Sequence, residues 1–308
     1  MLKKISIRKI MLSSLALFAM LLIYIIPENN SLNIQKQLEY VNYNVDSSPI
    51  FLLDKNSYIA LTSTALNDTN VVDKARQLIK VLTIGGMESK LPSGFSAIIP
   101  PNTEILSLSY ENGLIKIDFS KDLLDIKKES EEKMIEAIVY TLTSIESVEK
   151  IIIYVEGDIL TKLPKSKINL PSTLDKSFGI NKEFNLTNTK NIQDVTIYYI
   201  NEVSDNYYYV PVTKYINDTN NKIDIIINEL SNNVNNNLMS FLDENTKLVS
   251  STIKDNNMYL DFNENIVSDL KNNISKEILD TISLSVHANY DINNVIFNVN
   301  GKKIYEVQ

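Results

Sequence analysis

The chain has one histidine, His287, and no cysteine in its 308 residues. This removes thiolate chemistry, disulfides and cysteine zinc sites, and leaves a single imidazole for proton transfer near neutral pH. His287 falls in the last turn of an expected helix, where the helix dipole favours a cation. Its counterpart in the internal repeat described below is Thr143 or Ser144, so a helix-end role accounts for it better than catalysis. Asp118 and Asp261 are the other candidates, two carboxylates at matched strand ends. An acid–base pair must lie within about 5–10 Å in one site. These two fall in different copies of the repeat, so each is expected to stay solvated or to cap the helix that follows. Phe119 and Phe262 beside them read as core residues on an alternating apolar face. No P-loop, serine elbow, dinucleotide fingerprint or His/Cys metal spacing occurs. The expectation is a protein that is not an enzyme, with no catalytic residue, metal or cofactor.

Binding chemistry remains. A net charge of −8 argues against nucleic acid, which rewards Lys/Arg surfaces. Tyr207-Tyr208-Tyr209 faces Tyr198-Tyr199 across an expected hairpin, combining apolar area with polar tips as interfaces do. Neighbours on a strand point to opposite faces, so part of the set Tyr198, Tyr207, Tyr208 and Tyr209 is expected to be an accessible interface patch; edge-strand packing is the alternative.

Lys3, Lys4, Arg8 and Lys9 precede an uncharged run from Ile10 to Ile26. Residues 1–9 read as a cytoplasmic basic segment, 10–26 as a short single-pass transmembrane anchor and 27–47 as a tether, with the remainder outside the cell membrane. A cleaved signal peptide is the rival reading, although Pro27-Glu28-Asn29-Asn30 offers no small-x-small cleavage pattern.

The elements that position these residues come twice. Asn102-Thr103-Glu104-Ile105-Leu106, Asn112-Gly113, Ile117-Asp118-Phe119 and Val155-Glu156-Gly157 are echoed by Asn245-Thr246-Lys247-Leu248-Val249, Asp255-Asn256, Leu260-Asp261-Phe262 and Val299-Asn300-Gly301. The offset is 143 residues at Asp118/Asp261 and 144 at Gly157/Gly301, a one-residue slip placed in the intervening helix. Each copy reads as hairpin, helix, hairpin, helix, strand and short final hairpin. In the first, Asn70 caps a helix from about 71 to 84, Gly85-Gly86 ends it, Asn112-Gly113 makes a type I′ hairpin, and a helix covers about 129–144. Hydrophobic content of 44% suffices for two cores. The fold class expected is α+β: two tandem ββαββαβ-type domains at 48–160 and 194–308, helices on a mixed sheet, after one N-terminal transmembrane helix. Residues 161–193, with Pro164, Pro171 and many polar residues, read as a linker.

The first copy resembles the sporulation and spore germination (GerMN) domain family of spore-forming Firmicutes. Pro92-Ser93-Gly94, Ile99-Pro100-Pro101-Asn102-Thr103-Glu104-Ile105-Leu106, Asn112-Gly113 through Ile117-Asp118-Phe119-Ser120, Thr141-Leu142-Thr143 and Val148 through Gly157 stand in the family's order. The second copy keeps Asn245-Thr246, Leu260-Asp261-Phe262-Asn263 and Ile292 through Gly301. The resemblance implies structural roles for Gly94, Pro100, Asn112, Gly113, Asp118, Phe119, Gly157, Asp261, Phe262 and Gly301. It also implies a non-catalytic role in endospore formation or germination: ring building between mother cell and forespore, with self-association and other envelope proteins as partners. A sensory accessory module regulating a membrane partner is the alternative. The lipid anchor usual in the family needs a cysteine that is absent here.

Overall fold

The computed structural model describes residues 47–307, except 67–69, 205, 234–236 and 268–272. The expected basic segment, transmembrane anchor and all of the tether but Ser47 lie outside the described residues. Among the described residues no helix is long and apolar enough to cross a membrane.

Copy one runs β1 (Ser47–Asp54), β2 (Ile59–Ala65), α1 (Val71–Leu82), β3 (Phe95–Ser96), β4 (Ile105–Glu111), β5 (Leu114–Phe119), α2 (Glu131–Leu142), β6 (Lys150–Val155) and β7 (Asp158–Ile159). After β8 (Glu183–Asn185), copy two runs β9 (Ile192–Val203), β10 (Asn206–Asn217), α3 (Lys222–Ser231), β11 (Leu248–Lys254), β12 (Asn257–Phe262), α4 (Lys276–Asn289), β13 (Asn294–Val299) and β14 (Lys302–Val307). The Asn70 carboxamide caps α1 by accepting from the Asp73 N–H at 2.8 Å. α1 ends at Leu82, earlier than expected, because Thr83 turns to extended backbone and bridges Ile99; Gly85 takes its left-handed conformation in the turn beyond. Asn112 and Gly113 both have positive φ, as a type I′ turn requires, and so do Asp255 and Asn256 in copy two.

Each copy has its own four-stranded mixed sheet, β4-β5-β6-β7 and β11-β12-β13-β14, in which β5 runs parallel to β6 and β12 parallel to β13. The repeat extends to irregularities: the register breaks between Ile105 and Ser107 in one sheet and between Leu248 and Ser250 in the other, 143 residues on. Such bulges blunt an outer strand.

The N-terminal hairpins of the two copies do not form separate sheets. They merge into one, in the order β3-β1-β2-β10. β9 pairs with β10 along twelve residues, so β10's other edge is shared between β2, through Tyr209 and Leu61, and β8, which runs parallel to Lys214–Ile216. Helix hydroxyls close the far side of the first strand in both copies: Thr141 Oγ1 accepts the Phe51 N–H at 3.0 Å, and Ser285 Oγ the Tyr198 N–H at 2.9 Å.

Residues 161–193 are not a loose linker. Leu163, Leu170, Leu174 and Ile180 are buried in the core of copy one, Leu174 bridges Ile151, and β8 joins the shared sheet. Glu131, at the start of α2, accepts the backbone N–H groups of Lys165 and Ser166.

Thr141→Val and Ser285→Ala each leave a buried strand N–H without an acceptor, which costs about 1–3 kcal/mol. Urea unfolding should show each variant losing that much with an unchanged m-value.

Candidate functional site

The junction of the two copies is where most of the unexpected structure lies. Ile59 on β2 has its N–H and C=O turned toward copy two. The Asn181 side chain accepts that N–H at 2.9 Å and donates to that C=O at 2.7 Å, and its second N–H goes to the Pro211 C=O on β10 at 2.7 Å. One carboxamide thus uses both donors and its acceptor to join the copies. Asn181 has φ +45°, a conformation Asn tolerates better than most residues, and its own N–H goes to Glu136 Oε2 on α2 at 3.0 Å.

Around it the contacts are complementary. Asp54, the last residue of β1, accepts from the Asn56 and Tyr58 N–H groups and, across the junction, from the Tyr208 hydroxyl at 2.8 Å and the Asn201 carboxamide at 3.3 Å. Burial, and the bond to Asp54, push the Tyr208 hydroxyl well above its usual pKa. Phe95 packs edge-on to Tyr208 with ring centroids 4.9 Å apart. Gly94 has φ +86°, and a Cβ there would lie 2.4 Å from a Val203 methyl, so the loop meets β9 only because this residue lacks a side chain. Glu136 is buried beside Lys182, which also bonds Glu132 at 2.7 Å; burial raises the Glu136 pKa from 4.5 to about 7 despite the Asn181 N–H and Lys182.

A groove opens beside this junction, made of two cavities of about 530 and 400 Å³ that share Leu61, Leu284 and His287. Tyr207, Tyr208, Tyr209 and Val203 line the first with Lys276, Asp280 and Ser283 of α4; Tyr198, Tyr140 and Lys176 line the second. His287 is part-buried, which holds its pKa below the usual value; its Nε2 and the Ser283 Oγ are buried atoms without a hydrogen-bond partner.

The residues singled out from sequence sit as follows. The tyrosines do not form an exposed patch: Tyr198, Tyr208 and Tyr209 are 7–9% exposed, Tyr207 is part-buried, and they pack within the protein. Tyr208 meets Asp54 and Phe95 of copy one, whereas the Tyr209 hydroxyl donates to Asp280 on α4 at 2.9 Å and Tyr207 packs edge-on to Phe241, both within copy two. Asp118 and Asp261 are in separate sheets and neither caps a helix: Asp118 Oδ1 accepts the Gly157 N–H at 3.1 Å, and Asp261 Oδ1 the Gly301 N–H at 2.9 Å. Each carboxylate therefore pins the turn after the neighbouring parallel strand. Phe119 and Phe262 are fully buried. Pro100 opens a turn whose C=O accepts the Thr103 hydroxyl at 2.8 Å. Sequence reasoning missed Asn181, Asp54 and Glu136. The one available signal was Glu136 itself, an acidic residue flanked by the apolar Ile135, Ala137 and Ile138 in a buried helix.

The Germane family model, described as sporulation and spore germination, matches residues 49–161 and 196–305. The chain is 34% identical over 268 residues to the spore germination protein GerM of Bacillus subtilis (strain 168), covering 82% of this chain and 71% of that protein. The solved structure of the tandem GerMN domains of the sporulation protein GerM from Bacillus subtilis superposes with a TM-score of 0.75 at 33% identity, covering 83% of this chain and 91% of that one.

Asn181→Ala strips partners from Ile59 and Pro211 and should cost about 2–4 kcal/mol in denaturant unfolding. Asn181→Asp should cost more, because a carboxylate then faces two carbonyl oxygens. Glu136 gives a pH signature. Its folded pKa, about 7, exceeds the 4.5 of the unfolded protein. Its protonated form favours the fold, so this contribution is complete below about pH 4.5 and is lost as pH rises through about 7, by up to roughly 3 kcal/mol. Glu136→Gln should remove that decline, so the difference in stability between variant and wild type should widen from pH 4.5 to 8 and then level off.

Proposed function

The chain belongs to the sporulation and spore germination family, and on that premise we propose that it is a membrane-anchored, non-catalytic assembly protein of the spore-forming cell. In this reading residues 10–26 hold it in the membrane and both GerMN domains face the space between mother cell and forespore. There they contact other envelope proteins and further copies of the same protein. The observation that carries the reading is the shared sheet: through Leu61–Tyr209 and Asn181 the two domains are joined by backbone pairing and a buried carboxamide, not by a flexible tether. A rigid two-domain body presents surfaces at fixed spacing. Head-to-tail packing of identical subunits requires that to close a ring. The spore-related names of its relatives agree with the setting. No cofactor enters this reading.

A functional fluorescent fusion imaged during sporulation, with a deletion strain scored for heat-resistant spores, tests it. Enrichment at the engulfing membranes with loss of heat-resistant spores is expected. Uniform envelope signal with normal sporulation would sink the proposal. Asn181→Asp, which uncouples the domains, should phenocopy the deletion at normal protein level.

A further inference from the structure

Each copy's own sheet begins with a strand that pairs on one side only, β4 in copy one and β11 in copy two. Among the described residues, no hydrogen bond reaches the backbone of Ile105–Glu111 or Leu248–Lys254 except from β5 and β12. The bulges lie near one end of each strand. Beyond them Ser107–Glu111 and Ser250–Lys254 keep unbroken register with their inner neighbours, so a regular edge stays open in both copies. Both strands also carry apolar surface: Leu106 is 48% exposed, Val249 63% and Ile253 53%.

The two edges differ in the sign of the charges that bracket them. Glu104 and Glu111 stand at the ends of β4, and the repeat's offset of 143 residues puts Lys247 and Lys254 at the same places on β11. All four are exposed, and none is ion-paired among the described residues. Lys247 Nζ donates to the Glu244 C=O at 3.0 Å, which leaves its ammonium further donors. Charges on an edge strand ordinarily keep other strands away. Here the guard is selective. β4 against β4 sets Glu beside Glu, β11 against β11 sets Lys beside Lys, and β4 against β11 sets Glu beside Lys. The two strands do not pair within the molecule, so the partner edge must come from a second copy.

We propose that β4 of one molecule pairs antiparallel with β11 of another, joining two four-stranded sheets into one. With Ser109 beside Ser250 in the middle, the extra residue of each bulge brings both charged ends together. Glu104 then lies beside Lys254 and Glu111 beside Lys247, with Ile105 near Ile253 and Tyr110 near Leu248 between them. Backbone hydrogen bonds hold the strands, and the end charges choose which strand is accepted. Every molecule has one edge of each sign, so the contact is heterologous and repeats from copy to copy. This names the surfaces for the head-to-tail packing proposed above; its place in the spore envelope rests on that reading, but the pairing does not.

The purified full-length protein, held in detergent, is followed by analytical ultracentrifugation over a range of concentrations. Species that grow past the dimer with concentration, and recede as salt screens the end charges, are expected. Reversing one edge, by Glu104→Lys with Glu111→Lys or by Lys247→Glu with Lys254→Glu, should weaken association about tenfold or more. Mixing the two reversed variants, or placing all four changes in one chain, should restore it, which a misfolded variant could not do. Because the sequence has no cysteine, Ser109→Cys and Ser250→Cys put unique thiols on the two edges. The two single variants mixed should form a disulfide-linked pair, and neither should do so alone. A protein that stays monomeric, a species that stops at the dimer, or association indifferent to the reversals would overturn the proposal. These measurements are made outside the cell, so they can fail while the sporulation phenotype stands, and the converse.

Discussion

A strand that meets another domain in the interior of a protein cannot leave its backbone groups unmet, and Ile59 is where this protein faces that requirement. Its N–H and C=O point away from β1 and are shut off from water; Asn181 meets both and extends the same side chain to Pro211. Proline has no N–H of its own, so β10 offers an acceptor there and no donor. A residue with two donors and one acceptor within a short reach fits that constellation; aspartate has no donor, and glutamine is a methylene too long. The left-handed backbone at Asn181 aims its side chain between the strands while its N–H turns to Glu136.

Much else in the junction follows from this fixed point. With β2 and β10 held together, Leu61 comes opposite Tyr209, Tyr208 comes within reach of Asp54, and the loop at Gly94 closes on Val203. The polar contacts are charge-assisted or use full carboxamide capacity, so the interface does not depend on apolar area alone. Glu136 is the expensive member. It sits ionisable in a core, and the same burial that makes its contact with Asn181 specific raises its pKa.

The repeat was legible because its turns carry residues that only certain backbone conformations admit: Asn112-Gly113 and Asp255-Asn256 at positive φ, Gly157 and Gly301 at the strand ends. Alternating apolar residues then assigned the strands between, and Asn70 marked a helix start. The segment 161–193 was misread because its core residues, Leu163, Leu170, Leu174 and Ile180, stand singly among prolines and polar residues with no period of two or 3.6 to betray them. Asn181 was illegible for a related reason: in an asparagine-rich sequence nothing local separates the one that joins two domains from those that decorate loops. The tyrosines of β10 were expected to be partly accessible and are buried or part-buried, because a strand's own residues do not show which distant part of the sequence will pack on it. Asp118 and Asp261 were matched correctly across the repeat, yet their partners, Gly157 and Gly301, come from a parallel strand reached only after a helix.

The pairing of Leu61 with Tyr209 also sets a clock. The two residues are 148 positions apart, so β2 leaves the ribosome long before the strand that seals its edge exists. At bacterial synthesis rates the interval is roughly 10 s. During that time copy one can assemble its own four-stranded sheet while its hairpin presents an open edge, the state in which strands recruit wrong neighbours. Maturation of the first domain is therefore tied to delivery of the second, and a polypeptide interrupted between them would be left with a sticky edge and no means of covering it.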